Sequence, residues 1–325
     1  MRVVIPGGSG QIGTLLAGTL QRAGHEVVVL SRSAQAAPWR VVPWDGVTLG
    51  AWSREIDGSD VVINLAGRSV NCRYTARNRR EILRSRIDST RAVGAAIAAC
   101  ARPPRTWLQA STATIYSHRY DAPNDEESGV LGWAEPNAPS TWAFSIDVAR
   151  SWEVAFNEIA LPLTRRVALR SAIVMSPDEG GAFAMLLRLA RVGLGGRAGT
   201  GRQYVSWIHD ADFAAAVLWI IEHERLAGVV NVAAPNPIPN AQFMAALRRA
   251  AGTRVGLPAT SWMLELGALV MRTETELILK SRRVVPTRLL ETGFGFAFPS
   301  WPGAAADLVR RRDSAAPIPA LREIS

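Results

Sequence analysis

The 325 residues are 48% apolar, with 27 Gly and 19 Pro, which suffices for one large or two modest globular units and excludes a disordered, collagenous or coiled-coil chain. Two cysteines, Cys72 and Cys100, cannot build a disulfide framework, show no metal-ligand spacing, and fit a reduced, cytoplasmic setting. The net charge of +9 and pI near 10.7 invite a nucleic-acid reading, but the 37 basic residues are 36 Arg and one Lys, a compositional bias rather than a phosphate-binding design, so no nucleic-acid partner is expected.

The chain opens as strand, glycine turn, helix, strand: Arg2 to Ile5, then Pro6 to Gly13, then an apolar helix through Ala23 that Gly24 stops, then Glu26 to Leu30. Met1-Arg2 enters a strand directly, so no signal peptide is expected. Asp60 to Leu65 is a short apolar run of the kind a strand buried on both faces produces. A basic helix follows, with Leu83, Ile87, Thr90, Gly94 and Ile97 as its inner stripe. Strand signals recur at Thr106 to Ala110 and Leu163 to Leu169, on either side of a helix over Thr141 to Ile159. This alternation predicts an α/β fold with a doubly wound parallel sheet.

Beyond Arg170 the pattern loosens. Gly193 to Gly201 holds five glycines in nine residues and must be a loop. Asp210 to His223 reads as a helix, but its apolar run, Phe213 to Ile221, falls far short of a membrane span, so no membrane partner is expected. Gly228 to Val232 reads as a strand and Asn240 to Ala251 and Trp262 to Lys280 as helices, which predicts a smaller, mostly helical lobe. The predicted division is residues 1–169 with 203–234 as the sheet domain, 170–202 with 235–301 as the substrate lobe, and 302–325 as a tail, mobile from Asp313.

Gly7, Gly10 and Gly13 form GxxGxxG between a strand and a helix. The first permits a tight turn, the second lets bare amides approach a pyrophosphate, and the third allows close helix-to-strand packing. Gln11 and Ile12 lie inside this turn. The second strand ends in Ser31-Arg32-Ser33 where an NAD site usually places Asp or Glu, and a guanidinium there grips a 2′-phosphate, so NADP(H) is the expected cofactor.

The glycine turn, Asn64-Leu65-Ala66-Gly67 and Trp152-Glu153 resemble an extended short-chain dehydrogenase/reductase of the epimerase/dehydratase group. Ser85-Arg86, Gly180-Gly181, the glycine loop through Gln203, Ser206-Trp207-Ile208-His209, Pro235-Asn236-Pro237 and Val285-Pro286 through Phe294 resemble its atypical epimerase family 39U, from about Met1 to Trp301. The resemblance implies NADP(H) in the glycine turn, Ser31 and Arg32 at the adenosine phosphate, Leu65 and Ala66 (with Gly67 beside them) lining the cofactor, and Glu81, Arg86 and Val174 at or near it. It also implies a small C-terminal domain of unknown function, DUF1731-like, over about residues 256–301.

The superfamily's acid/base is Tyr with Lys four residues on, and no YxxxK exists in this chain. Aligned on Trp152-Glu153, the Tyr falls at Ser145 and the Lys at Ala149; Lys280, the sole lysine, lies too far along the chain to substitute locally. What remains is Ser111, Thr112 and Tyr116 at the end of the central strand, where Thr112 or Ser111 would polarise a substrate oxygen and Tyr116, water or the substrate would supply the proton. The same hydroxyls serve equally well to satisfy local backbone. His209-Asp210 reads as a helix cap, and Arg202-Gln203 either hold an anionic substrate or brace the glycine loop. Of the eight arginines from Arg68 to Arg91, most read as a solvated face.

The expected function is an NADP(H)-dependent oxidoreductase or epimerase-like enzyme acting on a carbonyl or alcohol of a small or nucleotide-sugar substrate. A non-catalytic NADP(H) sensor is the alternative, and a homodimer stays open.

Overall fold

A computed structural model of the chain describes residues 1–33, 36–133, 140–260 and 276–314. Seven strands form one wholly parallel sheet: β1 (Arg2–Pro6), β2 (Glu26–Ser31), β3 (Arg40–Pro43), β4 (Val61–Asn64), β5 (Thr106–Thr112), β6 (Arg165–Ser171) and β10 (Gly228–Val232). Their order across the sheet is β10-β6-β5-β4-β1-β2-β3, so the chain winds outward from β1 in both directions, as the alternating pattern requires. Strand β3 is absent from the sequence-based expectation. Its four residues, RVVP, are only half-buried at the sheet edge, too short to show a period.

Helices cover both faces. On one, α1 (Gln11–Arg22) packs beside α5 (Asp210–Glu222) over Val3, Ile5, Val29, Ile63 and Leu108. On the other, α2 (Ala76–Ala98) runs along α3 (Ser140–Asn157) over Val4, Val28, Val62 and Trp107. Gly24, at φ +81°, ends α1 while His25 N–H closes back on Leu20 O at 3.0 Å, a left-handed stop only glycine makes cheaply. Of the expected inner stripe of α2, Thr90, Gly94 and Ile97 are buried, together with Ile82, Ser89, Ala92, Val93 and Ala96, whereas Leu83 and Ile87 are only half-buried. Gly94 lets the helix sit close to Trp107, whose ring would be 3.3 Å from a Cβ there.

The second lobe gathers α4 (Ala182–Arg191), α6 (Asn240–Ala250), the closing helix Trp301–Ser314 and two short strand pairs, β7 (Ile173–Met175) with β9 (Trp207–His209) and β8 (Tyr204–Val205) with β11 (Ile238–Pro239). Its core centres on Phe243 stacked on Trp301 at 3.9 Å. Residues from 302 onward were expected as a tail, but Ala304, Ala305, Leu308 and Val309 bury one face of the closing helix in this core. Alanines make that face inconspicuous among the arginines. The helix expected over Trp262–Lys280 lies mostly outside the described residues, with Glu276–Leu279 helical, and the mobile end expected from Asp313 lies outside them beyond Ser314. Among the described residues no helix is long and apolar enough to cross a membrane.

Candidate functional site

At the carboxyl end of β1 the chain turns at Gly7, φ +73°, where a Cβ would stand 2.6 Å from Ala66 Cα. At Gly13 a Cβ would stand 2.4 Å from Gly8 Cα, so α1 approaches the turn only because both lack side chains. Above Gly10 the nearest atom to such a Cβ is 4.0 Å away, and the helix start has neither a side-chain cap nor an acidic residue in its first turn. The opening amides therefore face open space with the positive end of the helix behind them, a cradle that fits a nucleotide pyrophosphate. Gln11 reaches across to Gly181, where a Cβ would meet its side-chain nitrogen at 2.6 Å.

The remaining expected cofactor residues fall into two groups. Ser31 and Arg32 end β2 beside the turn; Ser31 Oγ accepts from Ser33 N–H, and Arg32 is exposed without an ion pair among the described residues. Leu65 N–H donates to Pro6 O and Ala66 N–H to Asn64 Oδ1, which locks the end of β4 against the cradle. Gly67 sits over Arg86, whose Cζ would be 3.2 Å from a Cβ there. Arg86 donates to Arg68 O and Ile82 O and lies over the Trp152 ring at 4.9 Å. No carboxylate pairs with it among the described residues, and burial pulls its pKa down to about 10. Glu81, on α2, is instead engaged by Arg68 from the preceding loop and by Arg77, and Val174 packs partly buried against the sheet core.

Between the strand ends and the second lobe lies a cavity of about 370 Å³. Thr112 faces it; Thr112 Oγ1 accepts from Thr114 N–H at 3.2 Å, leaving its own O–H without an acceptor among the described residues. Ser111 and Tyr116 do not line it. Consecutive strand residues face opposite sides, so Ser111 turns to α3 and donates to Glu153 at 2.6 Å. Glu153 is paired with Arg170 at 2.7 Å, Arg170 donates to the Tyr116 oxygen at 3.0 Å, and Tyr116 O–H donates to Asn231 Oδ1 at 2.9 Å. Burial pushes the Tyr116 phenol up, away from proton exchange near neutral pH. The structure thus brings Thr112 to the cavity and commits Ser111 and Tyr116 to a buried ionic cluster.

Several polar residues in or beside the cavity were not anticipated as site residues. Tyr74, from the loop before α2, presents its phenol beside Ser145, whose hydroxyl bonds it; burial raises the phenol's pKa and that bond opposes the rise. Ser145, in the position of the superfamily's tyrosine, makes a close hydrogen bond to Glu276. Arg282 donates to Thr114 Oγ1 at 3.2 Å and stands 3.5 Å from the Glu276 carboxylate. Lys280, expected to be remote, is buried and donates to Thr114 O at 2.9 Å. The segment from Glu276 returns across the strand ends because Ser281 N–H donates to His118, Arg282 N–H donates to Tyr204 O, and Val284 N–H donates to Ser206 Oγ. No local spacing in the sequence records that return; Tyr74 fails the YxxxK test and carries no other mark. Gln203 donates to Ala198 O and braces the glycine loop, while Arg202 is exposed.

Residues 3–233 match the NAD dependent epimerase/dehydratase family, and residues 259–308 match a domain of unknown function, DUF1731. The chain is 31% identical over 314 residues to the epimerase family protein SDR39U1 of Homo sapiens, covering 95% of this chain and 100% of that protein. It is 32% identical over 318 residues to the epimerase family protein YfhF of Bacillus subtilis (strain 168), covering 96% and 99%. Among solved structures it resembles human SDR39U1 (isoform 2) with NADPH, at a TM-score of 0.83 and 30% identity, covering 95% of this chain and 99% of that one. The UDP-N-acetylglucosamine 4-epimerase of Bacillus cereus shares the fold at a TM-score of 0.74 and 15% identity, covering 98% and 99%.

Proposed function

Because the chain belongs to the NAD dependent epimerase/dehydratase family, we propose that it binds NADP(H) and acts as an oxidoreductase or epimerase-like enzyme on a carbonyl or alcohol. The observation that carries this reading is adjacency. Gly181 packs on Gln11 of the glycine cradle, and its neighbour Ala182 already lines the cavity onto which Thr112 opens. When bound, a nicotinamide dinucleotide supplies or accepts a hydride. Gly7, Gly10–Gly13, Ser31, Arg32 and Leu65–Gly67 would hold it, with Arg86 beneath Gly67. Thr112 donates its uncommitted O–H to the substrate oxygen. Tyr74 holds a phenolic proton at the same cavity, backed by Ser145 and Glu276. Met and Phe side chains around the cavity keep water from the reacting atoms.

The preference for NADP(H) rests on Arg32 standing without an ion pair among the described residues where a carboxylate would exclude a 2′-phosphate, and the human relative was crystallised with NADPH. In calorimetry, Arg32→Ala weakens NADPH by about tenfold and leaves NADH within about twofold, since only one of them offers the phosphate. Equal affinity of the unaltered protein for both would overturn the preference. Turnover is tested by NADPH oxidation across aldehydes, ketones, quinones and nucleotide sugars. The absence of a YxxxK pattern favours a second reading, a non-catalytic NADP(H) sensor, which a silent panel with intact cofactor binding would establish.

A further inference from the structure

The cavity has two chemically different ends. Thr112, Tyr74, Ser145, Glu276 and Arg282 gather polar groups at the strand end. The lobe end is a wall made by two helices. From α4 come Ala182, Met185 and Leu186, and from α6 Phe243 and Met244, spaced so that each set shares one helix face. Met175 adds a third thioether. Asn240, on the same face of α6, spends its amide oxygen on Ala198 N–H at 2.8 Å.

The charges on the two wall helices point elsewhere. On α4, Arg191 pairs with Asp313 and Arg188 is exposed; on α6, Arg248 donates to Gly195 O and Arg249 is exposed. Inside the cavity Arg282 is offset by the Glu276 carboxylate. Arg86 also lines the cavity, where its guanidinium lies over the Trp152 ring and donates to Arg68 O and Ile82 O. A nucleotide sugar brought here would set two phosphate charges and several hydroxyls against thioethers and a phenyl ring, and each unpaired polar group buried that way is costly. Methionine and phenylalanine instead offer a polarizable, adaptable surface to a flat apolar body. At ~30 Å³ for each water-sized group, the space admits about a dozen non-hydrogen atoms.

We infer that the cavity takes an uncharged, apolar carbonyl compound, aromatic or alicyclic, with its oxygen toward Thr112 and Tyr74 and its body on the α4–α6 wall. This inference rests on the dinucleotide reading for which end is reactive, and names the substrate class of that site.

The test is calorimetric titration of the full chain saturated with NADP+, which cannot reduce the probe. 2-Acetylnaphthalene binds saturably, and UDP-glucose binds at least ~100-fold more weakly. Leu186→Trp fills the wall and Met185→Glu charges it; each weakens the ketone by about tenfold or more and leaves NADP+ affinity within about twofold. Because the Trp variant keeps the wall apolar, it serves where the Glu variant fails to fold. Tighter binding of UDP-glucose than of the ketone, no ketone binding to NADP+-loaded protein, or ketone affinity indifferent to Leu186→Trp overturns the inference while leaving the dinucleotide reading intact. Should NADP+ itself not bind, the dinucleotide reading fails, and the ketone titrated alone still decides the cavity by its response to Leu186→Trp.

Discussion

Thr112 and Ser111 are neighbours on β5 with different partners. Thr112 keeps a donor toward the cavity, while Ser111 donates its hydrogen bond to Glu153 on α3. Removing the two hydroxyls should therefore have different consequences. Thr112→Val lowers kcat by roughly 10²-fold on any accepted carbonyl, the usual cost of one oxygen-polarising donor, with NADPH affinity unchanged. Ser111→Ala costs about 2 kcal/mol in chemical denaturation, because it takes a charge-assisted bond from a buried carboxylate, and barely alters kcat. The reverse pattern would move the reacting centre to the Glu153–Arg170 side. Sequence alone treats the two hydroxyls as equivalent candidates. Their opposition follows from strand alternation and from α3 placing Glu153 opposite, and only the second fact needs the fold.

At the scale of elements, α5 joins the two lobes. His209 caps it, its Nδ1 accepting from Ala211 N–H while Nε2–H donates to Asp307 on the closing helix. Asp210 accepts twice from Arg311 at 2.8 Å, and Asp212 accepts from Ala297 and Phe298 N–H at 2.8 and 2.9 Å. Burial pushes the Asp212 carboxyl up to about 6 against the pull of those two amides. A carboxyl whose folded pKa lies above its unfolded value of 3.8 holds its proton more tightly in the fold. Its contribution to stability is therefore full below that value and is lost as pH rises through about 6. Measured by urea unfolding, stability relative to Asp212→Asn should fall by about 3 kcal/mol from acid to neutral pH. A pH-independent difference would mean that the two amides offset the burial and leave the folded carboxyl at its unfolded value. The His209-Asp210 cap was legible from its position ahead of an apolar run. Its partners 98 and 101 residues later were not, since nothing in Asp307 or Arg311 marks them apart from a solvated helix face.

For the whole molecule, what was legible is what is contiguous. The glycine turn, the strands of the sheet interior and Arg32 all lie within stretches whose periodicity or spacing states their structure, so the doubly wound fold and its cradle could be read directly. The cavity is different. It is assembled from Tyr74, Thr112, Ser145 and the returning segment at Glu276–Arg282, and each is locally unremarkable. Lys280 illustrates the gap: remote in sequence, it ends within hydrogen-bond reach of Thr114 because the second lobe folds back over the strand ends. The cavity thus depends on lobe docking, and the glycine cradle does not.

Binding of a nicotinamide dinucleotide at the turn after β1 underlies every role assigned to the cavity. Calorimetric titration of the folded, purified chain with NADPH at low ionic strength tests it most directly. Saturable one-to-one binding, tighter than that of NADH, is the predicted result, and a well-folded protein that binds neither nucleotide would contradict the account.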